Sequence, residues 1–271
     1  MGDPAARHFI AWRYPLTDLS KTQIDRIGER LRAGSFTEDD LRMLDEYRRS
    51  FAPAFKLVFE ALQQLSLAPT GRPEKSRTSL SGKLLRESAR LSQVQDIAGC
   101  RVVVRSVVQQ DDVIARLSSA FERLFVVDRR VQPSHGYRAV HAMVSVQGRT
   151  IEVQVRTELQ HQWAEVSESL SDRWGVEVKY GGGPERIGRK LRLASQDVAD
   201  FEGRDSIETV PSGNRGWTSF EHTTPADLED QLLSLERRHE EIRERLKELF
   251  RTAMQEEDNQ LGGHHAFPDT V

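Results

Sequence analysis

The sequence contains a single cysteine, Cys100, among 271 residues, so no disulfide can form within the chain and no cysteine-rich zinc site is available. No stretch approaches 18 consecutive apolar residues, and 30% of the residues are charged, which excludes a membrane-spanning helix. The first seven residues show neither a secretory signal nor a myristoylation pattern. The glycine run at residues 181–183 is not followed by Lys-Ser or Lys-Thr, so it is not a P-loop. These absences lead us to expect a cytoplasmic protein that has no contact with a membrane.

The formal net charge is only −3, which argues against a uniformly basic surface for nucleic acid but permits a local patch. Such a patch is present between residues 75 and 105, where basic residues outnumber acidic ones. Its basic residues are Lys75, Arg77, Lys83, Arg86, Arg90, Arg101 and Arg105. Ser79, Lys83 and Arg86 have helical spacing and can share one face. That face is either a polyphosphate site or an ordinary solvated helix surface.

The spacing of apolar residues divides the chain into five parts. We predict a helical N-terminal region over 1–67, a core over 68–185, a helix with a polar connector over 186–224, an amphipathic helix over 225–258, and a disordered tail over 259–271. Within the core we expect a loop over 68–77, a helix over 79–90, a buried strand over 100–107 and a helix over 112–124. A hairpin over 137–157 turns at Gln147-Gly148-Arg149, and a helix over 158–172 follows it.

The C-terminal helix carries apolar residues in an approximate seven-residue repeat. These residues are Leu228, Leu232, Leu235, Ile242, Leu246 and Leu249. Two interpretations remain open, because three to four heptads is about the lower limit for a coiled coil. The helix either packs on its own domain or forms a homo-oligomer with a second copy.

Polar residues alternate with apolar ones on the second strand of the predicted hairpin. Glu152, Gln154 and Arg156 point to one face, opposite Ile151, Val153 and Val155. Asp96 precedes the buried strand, so the two carboxylates meet if the strands are neighbours. Such a pair beside phosphates suits Mg²⁺. Alternatively, each carboxylate pairs with an arginine, for which Arg101 and Arg156 are the candidates.

Other polar residues of this region have two interpretations as well. Tyr137, between Gly136 and Arg138, is either a platform for a nucleotide base with an arginine for a phosphate, or a half-buried strand residue. His141 and His161 lack a partner at zinc-ligand spacing, so we expect them to form hydrogen bonds.

Four ordered blocks occupy the region 75–163. They are Lys75-Ser76 with Ser79 and Lys83-Leu84; Gln95-Asp96-Ile97-Ala98-Gly99-Cys100-Arg101; Gly136-Tyr137-Arg138-Ala139-Val140-His141; and Glu152-Val153-Gln154-Val155-Arg156-Thr157. Together they resemble the synthetase domain of RelA/SpoT proteins, the enzymes that make the alarmones pppGpp and ppGpp. The chain looks most like the small, single-domain alarmone synthetases. Four blocks in the same order rarely coincide by chance.

The resemblance implies an α/β (α+β) fold with a mixed sheet flanked by helices. It implies transfer of the β,γ-pyrophosphate of ATP to a ribose 3′-hydroxyl, with GDP or GTP as acceptor and Mg²⁺ at Asp96 and Glu152. The implied ATP-binding residues are Lys75, Ser79, Lys83 and Arg101, joined by Arg77 and Arg86 of the basic patch. The implied acceptor-binding residues are Tyr137, Arg138, His141, Gln154 and Arg156, with Glu152 activating the 3′-hydroxyl.

Two departures from the family pattern affect ligand recognition. Arg72 is one residue out of step with the family arginine, for which Arg77 can substitute. The segment 128–137 is one residue shorter and lacks the family lysine, which is similar to the toxic branch of small alarmone synthetases. Those enzymes modify the 3′ CCA end of tRNA, so Arg129 and Arg130 are candidate tRNA contacts and an antitoxin is a candidate partner. A catalytically silent module that binds RNA or a partner is a further alternative.

Overall fold

The computed structural model describes residues 19–209 and 225–261, and the side chains of residues 19–203, 233–234 and 236–254. Eight α-helices are present in these ranges: α1 (Lys21–Ala33), α2 (Glu38–Arg49), α3 (Ala52–Gln64), α4 (Arg77–Arg86), α5 (Val107–Ala120), α6 (Glu158–Trp174), α7 (Glu185–Thr209) and α8 (Pro225–Leu261). The strands are β1 (Thr70–Arg72), β2 (Gly99–Val104), β3 (Leu124–Asp128), β4 (Val140–Val146) and β5 (Arg149–Thr157). Within the described residues, no helix combines the length and apolar composition that crossing a bilayer needs.

Side-chain caps explain where several helices begin. Ser20, Thr37 and Thr157 each accept a hydrogen bond from the backbone of the third helical residue, whose side chain returns a bond to the cap backbone. Ser76 caps α4 by accepting from the amide of Ser79, so this helix begins two residues before its predicted start. Ser106 accepts from the amide of Gln109, and α5 accordingly begins and ends earlier than predicted.

The strands form one mixed sheet in the order β1-β2-β5-β4-β3, which confirms the expected fold class. The pairs β1–β2, β3–β4 and β4–β5 are antiparallel, and the predicted hairpin corresponds to β4 and β5. Two edge strands were not predicted. β1 lies in a stretch whose glycine and prolines indicate a loop, and it is a strand only because it pairs with distant β2. β3 follows a helix that ends earlier than expected.

The chain forms two compact units. The first contains the described residues up to Val103 together with Asp111–Asp128 and Val140–Val155, and the second contains Val104–Gln110, Arg129–Ala139 and the described residues from Arg156 onward. Leu44, Leu62, Leu80, Ile97 and Ile151 are among the buried core residues of the first unit. Cys100 on β2 is also buried, and burial raises the pKa of its thiol to about 12.

The core of the second unit joins α6, α7 and α8. Leu159 and Trp163 from α6 and Leu191 from α7 belong to the same buried cluster as Ile242 and Leu246 from α8. Over this part, α8 packs on its own unit, as one of the two interpretations expected. The side chains of Leu228, Leu232 and Leu235 lie outside the described residues, as do residues 210–224 of the connector and 262–271 of the tail. The helix itself continues to Leu261, three residues beyond the predicted boundary at 258.

Candidate active site

Asp96 is held between two lysines in the first unit. Lys75 Nζ lies 2.5 Å from Asp96 Oδ2, and Lys83 Nζ from α4 lies 2.9 Å from Asp96 Oδ1. Burial alone would raise the pKa of the Asp96 carboxyl, but the two ammonium groups outweigh it and lower this pKa to about 2. Burial alone would lower the pKa of the Lys83 ammonium group. The negative charges of Asp96, Glu87 and Glu152 outweigh burial, so the pKa of Lys83 is raised. Asp96 and Lys83 therefore stay charged at neutral pH.

The backbone of Lys75 is fixed from two sides. Its amide donates to the carbonyl oxygen of Ile97 at 2.6 Å, and its carbonyl accepts from Arg48 Nε at 2.6 Å. Arg48 lies on α2, is buried, and also bonds to Asp45 at 2.7 Å. Arg48 and Asp45 are not among the site residues predicted from the sequence. A signal was present, because an arginine on the apolar face of a helix requires a fixed partner.

Glu152 lies on β5, which neighbours β2 in the sheet and thereby meets the condition for the two carboxylates to interact. Glu152 Oε1 lies 2.9 Å from His141 Nδ1, and Oε2 accepts from Gln154 Nε2 at 2.8 Å. The register pairs His141 with Gln154, so the three polar side chains share one face, as alternation predicted for the two on β5. The backbone amide of Glu152 donates to Ala98, two residues after Asp96.

The pKa of Glu152 reflects four competing influences. Burial raises it, the hydrogen bonds and charge from His141 together with the bond from Gln154 lower it, and the negative charge of Asp96 raises it. The net result is a pKa below the usual value of 4.5. Glu152 is therefore a buried carboxylate that remains ionised at neutral pH and feels the charge of Asp96.

The other residues assigned to ATP lie in the first unit but in different surroundings. Arg77 bonds to Asp45, with Nε at 2.8 Å from Oδ1. Ser79 accepts from the Ser76 hydroxyl at 2.9 Å in the first turn of α4, and Arg86 is exposed in the last turn. Arg101 lies on β2, paired in register with Thr70. The structure thus brings Lys75 and Lys83 onto Asp96, whereas Arg77 is engaged by α2.

Tyr137, Arg138 and Arg156 belong to the second unit. The Arg156 guanidinium lies 5.1 Å from the centroid of the Tyr137 ring, and its Nη2 donates to the Tyr137 hydroxyl at 3.1 Å. Arg138 Nη1 donates to the carbonyl oxygen of Arg130 at 2.7 Å. Arg130 Nη1 donates to Gln110 at 3.2 Å, whereas Arg129 is exposed. The candidate acceptor residues therefore divide between the two units, with His141 and Gln154 in the first.

Asp96 and Glu152 are the candidate magnesium ligands of the first unit. The described part of the chain has no cluster of three or more His, Cys, Asp or Glu that could hold a metal. Asp96 and Glu152 nevertheless suit Mg²⁺, which commonly uses one or two carboxylates and completes its shell with phosphate oxygens and water. Both have a lowered pKa and offer hard anionic oxygens. The donor set fits a magnesium ion that arrives with a polyphosphate. His161 Nε2 lies 3.3 Å from Glu165 Oε1 on the same helix.

Comparisons with known proteins identify the region that contains these residues. Residues 71–172 match the model of the region found in RelA/SpoT proteins. Two uncharacterized mycobacterial proteins, Rv1366 of Mycobacterium tuberculosis and Mb1401 of Mycobacterium bovis, are each 34% identical over 117 residues, which is 42% of this chain and 43% of the relative. The match thus spans less than half the length of these curated relatives.

Among solved structures, the small alarmone synthetase 1 from Bacillus subtilis is 23% identical with a TM-score of 0.48, covering 63% of this chain and 96% of that one. A GTP pyrophosphokinase family protein from Streptococcus pneumoniae is 21% identical with a TM-score of 0.48, covering 64% and 94%. The complex of the Type VI effector Tas1 with its immunity protein gives 14% identity, a TM-score of 0.36, and coverage of 85% and 97%. These likenesses do not by themselves assign a reaction. The family match confirms the resemblance that the four sequence blocks indicated, because residues 71–172 of this chain match the region found in RelA/SpoT proteins.

Proposed function

We propose that this chain is a pyrophosphokinase that transfers the β,γ-pyrophosphate of ATP to a ribose 3′-hydroxyl and releases AMP. The observation that carries the proposal is the ionised Asp96 held between Lys75 and Lys83, in the same unit as the Glu152–His141 pair. The match of residues 71–172 to the RelA/SpoT region supports the same reaction.

On the donor side, the chain supplies cations for a polyphosphate. Lys75 and Lys83 both contact Asp96, and each can exchange that contact for a phosphate oxygen. Asp96 and Glu152 would hold Mg²⁺, which when bound neutralises phosphate charge and orients the β-phosphorus. After this exchange Asp96 would be free to hold the metal, while Lys75 and Lys83 would face the phosphate oxygens.

On the acceptor side, Glu152 is the candidate base. Its lowered pKa keeps the carboxylate ready to accept the proton of the 3′-hydroxyl, while His141 and Gln154 fix its orientation. As the O–H bond breaks, the 3′-oxygen forms a bond to the β-phosphorus. The bond between that phosphorus and the oxygen bridging to the α-phosphate breaks, and AMP leaves with the electron pair. Gln154 therefore contributes by orienting the Glu152 carboxylate, to which it donates a hydrogen bond.

For the acceptor itself we favour GDP or GTP, with Tyr137 stacking on the guanine and Arg156 against the Tyr137 ring. The 3′ end of tRNA is the second candidate. The segment 129–133 favours it, because Arg129, Val131, Gln132 and Pro133 are exposed there. The Arg129 guanidinium can contact the phosphate backbone of an RNA whatever its base sequence. In that case an antitoxin protein becomes an expected partner.

The test is transfer of label from β-phosphate-labelled ATP with Mg²⁺, offering GDP, GTP, ATP or deacylated tRNA in separate reactions. Label in a guanosine tetra- or pentaphosphate would establish alarmone synthesis, and label only in tRNA would establish tRNA as the acceptor. Label in no acceptor would overturn the proposal and favour a silent binding module.

Matched variants connect the transfer to the site. Asp96→Asn and Glu152→Gln should each reduce transfer by at least about a thousandfold while leaving the circular dichroism spectrum unchanged. Glu87→Gln is the control, because Glu87 also faces Lys83, at 3.8 Å, but is exposed. Substantial transfer by either of the first two variants would contradict the roles given to Asp96 and Glu152.

A further inference from the structure

The segment that carries Tyr137 has an unusual backbone. Ser134 and Tyr137 exchange two backbone hydrogen bonds, at 2.9 and 3.2 Å, and the Arg129 amide closes the loop by donating to Ala139 at 2.9 Å. Between them, His135 and Gly136 both have positive φ, at 53° and 95°. A non-glycine residue in this region is disfavoured by roughly 1 kcal/mol or more, so surrounding contacts must hold the loop in place.

Helix α7 supplies one such contact through Ser195. Its hydroxyl donates to the carbonyl oxygen of Gly136 at 2.6 Å and accepts from Arg138 Nε at 3.0 Å. Ser195 is only 3% exposed, so both bonds form away from bulk water. One buried hydroxyl thereby links the residues immediately before and after Tyr137.

A second contact runs from α7 through Glu202. This buried carboxylate accepts from the Thr157 hydroxyl and from Gln160 Nε2 at 2.9 Å. Gln160 Oε1 accepts from Gln110 at 3.0 Å, and Gln110 Oε1 accepts from Arg130 Nη1 at 3.2 Å. Since Arg138 donates to the carbonyl oxygen of Arg130, the two paths from α7 meet at these arginines. All of these residues belong to the second unit.

We propose that Ser195 and Glu202 are positioning residues for the acceptor, because through Arg138 and Arg130 they fix the loop that presents Tyr137. The inference rests on the proposed function. It gives Arg130 and Arg138 a structural role, in which their hydrogen bonds hold the loop, so other groups must bind the phosphates of the acceptor. Both α7 residues lie outside the matched region 71–172.

The kinetic test compares Ser195→Ala with Gln196→Ala. Gln196 is the next residue on α7, is exposed, and donates a hydrogen bond along its own helix to Asp200, at 2.8 Å. With whichever acceptor receives label, we expect Ser195→Ala to raise the KM for the acceptor about tenfold and to leave the KM for ATP within about twofold of wild type. Gln196→Ala should match wild type in both. An unchanged acceptor KM in Ser195→Ala would overturn the inference.

Hydrogen–deuterium exchange provides a readout that does not depend on activity. Amides of residues 129–139 should exchange at least about tenfold faster in Ser195→Ala and in Glu202→Gln than in wild type or Gln196→Ala. Glu202→Gln keeps the size of the side chain and so leaves no cavity. Its amide nitrogen is a donor and would face one of the two groups that donate to Glu202, the Thr157 hydroxyl and Gln160 Nε2, so the second path is weakened. Unchanged exchange in an enzyme that transfers label would refute the inference alone. A wild type that labels no acceptor would refute the proposed function, while the exchange data would still report on the loop.

Discussion

Gly136 sets the backbone geometry immediately before the candidate acceptor tyrosine. Its φ is +95°, and a Cβ at this position would lie 2.8 Å from Trp163 Cζ2 and 3.3 Å from Ser195 Cβ. Trp163 cannot easily retreat, because its indole nitrogen donates to the carbonyl oxygen of Leu191 at 2.8 Å. The position therefore requires glycine for two separate reasons, backbone conformation and space.

Gly136→Ala and Gly34→Ala separate these two reasons. Gly34 has a φ of +67° at the end of α1, and nothing lies within 4 Å of a Cβ there. We expect Gly34→Ala to lower the free energy of unfolding by about 1 kcal/mol, from backbone strain alone. Gly136→Ala should cost about 2 to 4 kcal/mol, because the clash adds to the strain. Urea unfolding measures both, and equal losses would mean that Trp163 does not confine the loop.

Candidate site residues were predictable where local pattern or family motif determines them. Alternation on β5 placed Glu152 and Gln154 on one face, and the basic patch contained both lysines that bind Asp96. Arg48, Ser195 and Glu202 escaped prediction. Each acts through contacts with residues at least 27 positions away, and a single sequence does not record such pairings.

At the scale of elements, α2 anchors the loop that begins the candidate ATP site. Asp45 bonds to Arg77 on α4 and to Arg48, which in turn binds the Lys75 carbonyl. The hydrogen bond from Arg77 is the largest influence on the pKa of the Asp45 carboxyl and lowers it. Burial raises this pKa, and the hydrogen bond from Arg48 lowers it further. The result is a pKa of about 2, against a usual value of 3.8. Because the folded state holds this proton less tightly than the unfolded chain, Asp45 stabilises the fold above pH 3.8. That contribution is lost as pH falls toward 2.

Asp45→Asn should therefore lower the free energy of unfolding by about 1 kcal/mol at pH 7, a figure reduced for partial solvent screening. The difference from wild type should shrink below pH 4 and approach zero below pH 2, as Asp45 itself becomes protonated. Glu46→Gln, an exposed neighbour on α2, serves as the control and should change little at any pH. Denaturant titrations across this range provide the measurement. A difference that persists unchanged at pH 2 would show that the charge of Asp45 is not responsible.

The packing of α8 can be tested with two leucines of the same helix. Leu246 is 1% exposed in the core with α6 and α7, whereas Leu233 is 47% exposed. Leu246→Ala should cost about 2 to 4 kcal/mol in free energy of unfolding, and Leu233→Ala less than about 0.5 kcal/mol. Light scattering should give the same mass for both variants. A lower mass for Leu246→Ala, without loss of stability, would indicate that this face joins copies of the chain instead.

Helices and strands were predicted correctly where residues close in sequence determine them, and were missed where they depend on pairing with a distant segment. The β4–β5 hairpin and α6 were predicted from alternation, a glycine-containing turn and helical spacing, all of which are local. β1 and β3 are short edge strands whose identity depends on pairing. Helix ends were displaced by two to five residues where a serine cap, at Ser76 or Ser106, began the helix early.

At the scale of the whole molecule, the chain passes repeatedly between its two units. It changes unit after residues 103, 110, 128, 139 and 155, so neither unit is a continuous piece of sequence. We therefore expect a single cooperative unfolding transition. Tryptophan fluorescence, to which Trp163 and Trp174 of the second unit contribute, should show the same urea midpoint as far-UV circular dichroism. Separate midpoints would mean that the units unfold independently.

The buried Cys100 has a practical consequence for experiments on this protein. Its thiol is 3% exposed and, with a pKa of about 12, is almost entirely protonated at neutral pH, so maleimide reagents should react with it very slowly. Because the sequence has no other cysteine, the native chain is already suited to site-specific labelling. A cysteine introduced at Val131, which is 78% exposed in the Tyr137 segment, would carry a fluorophore or spin label that reports on acceptor binding.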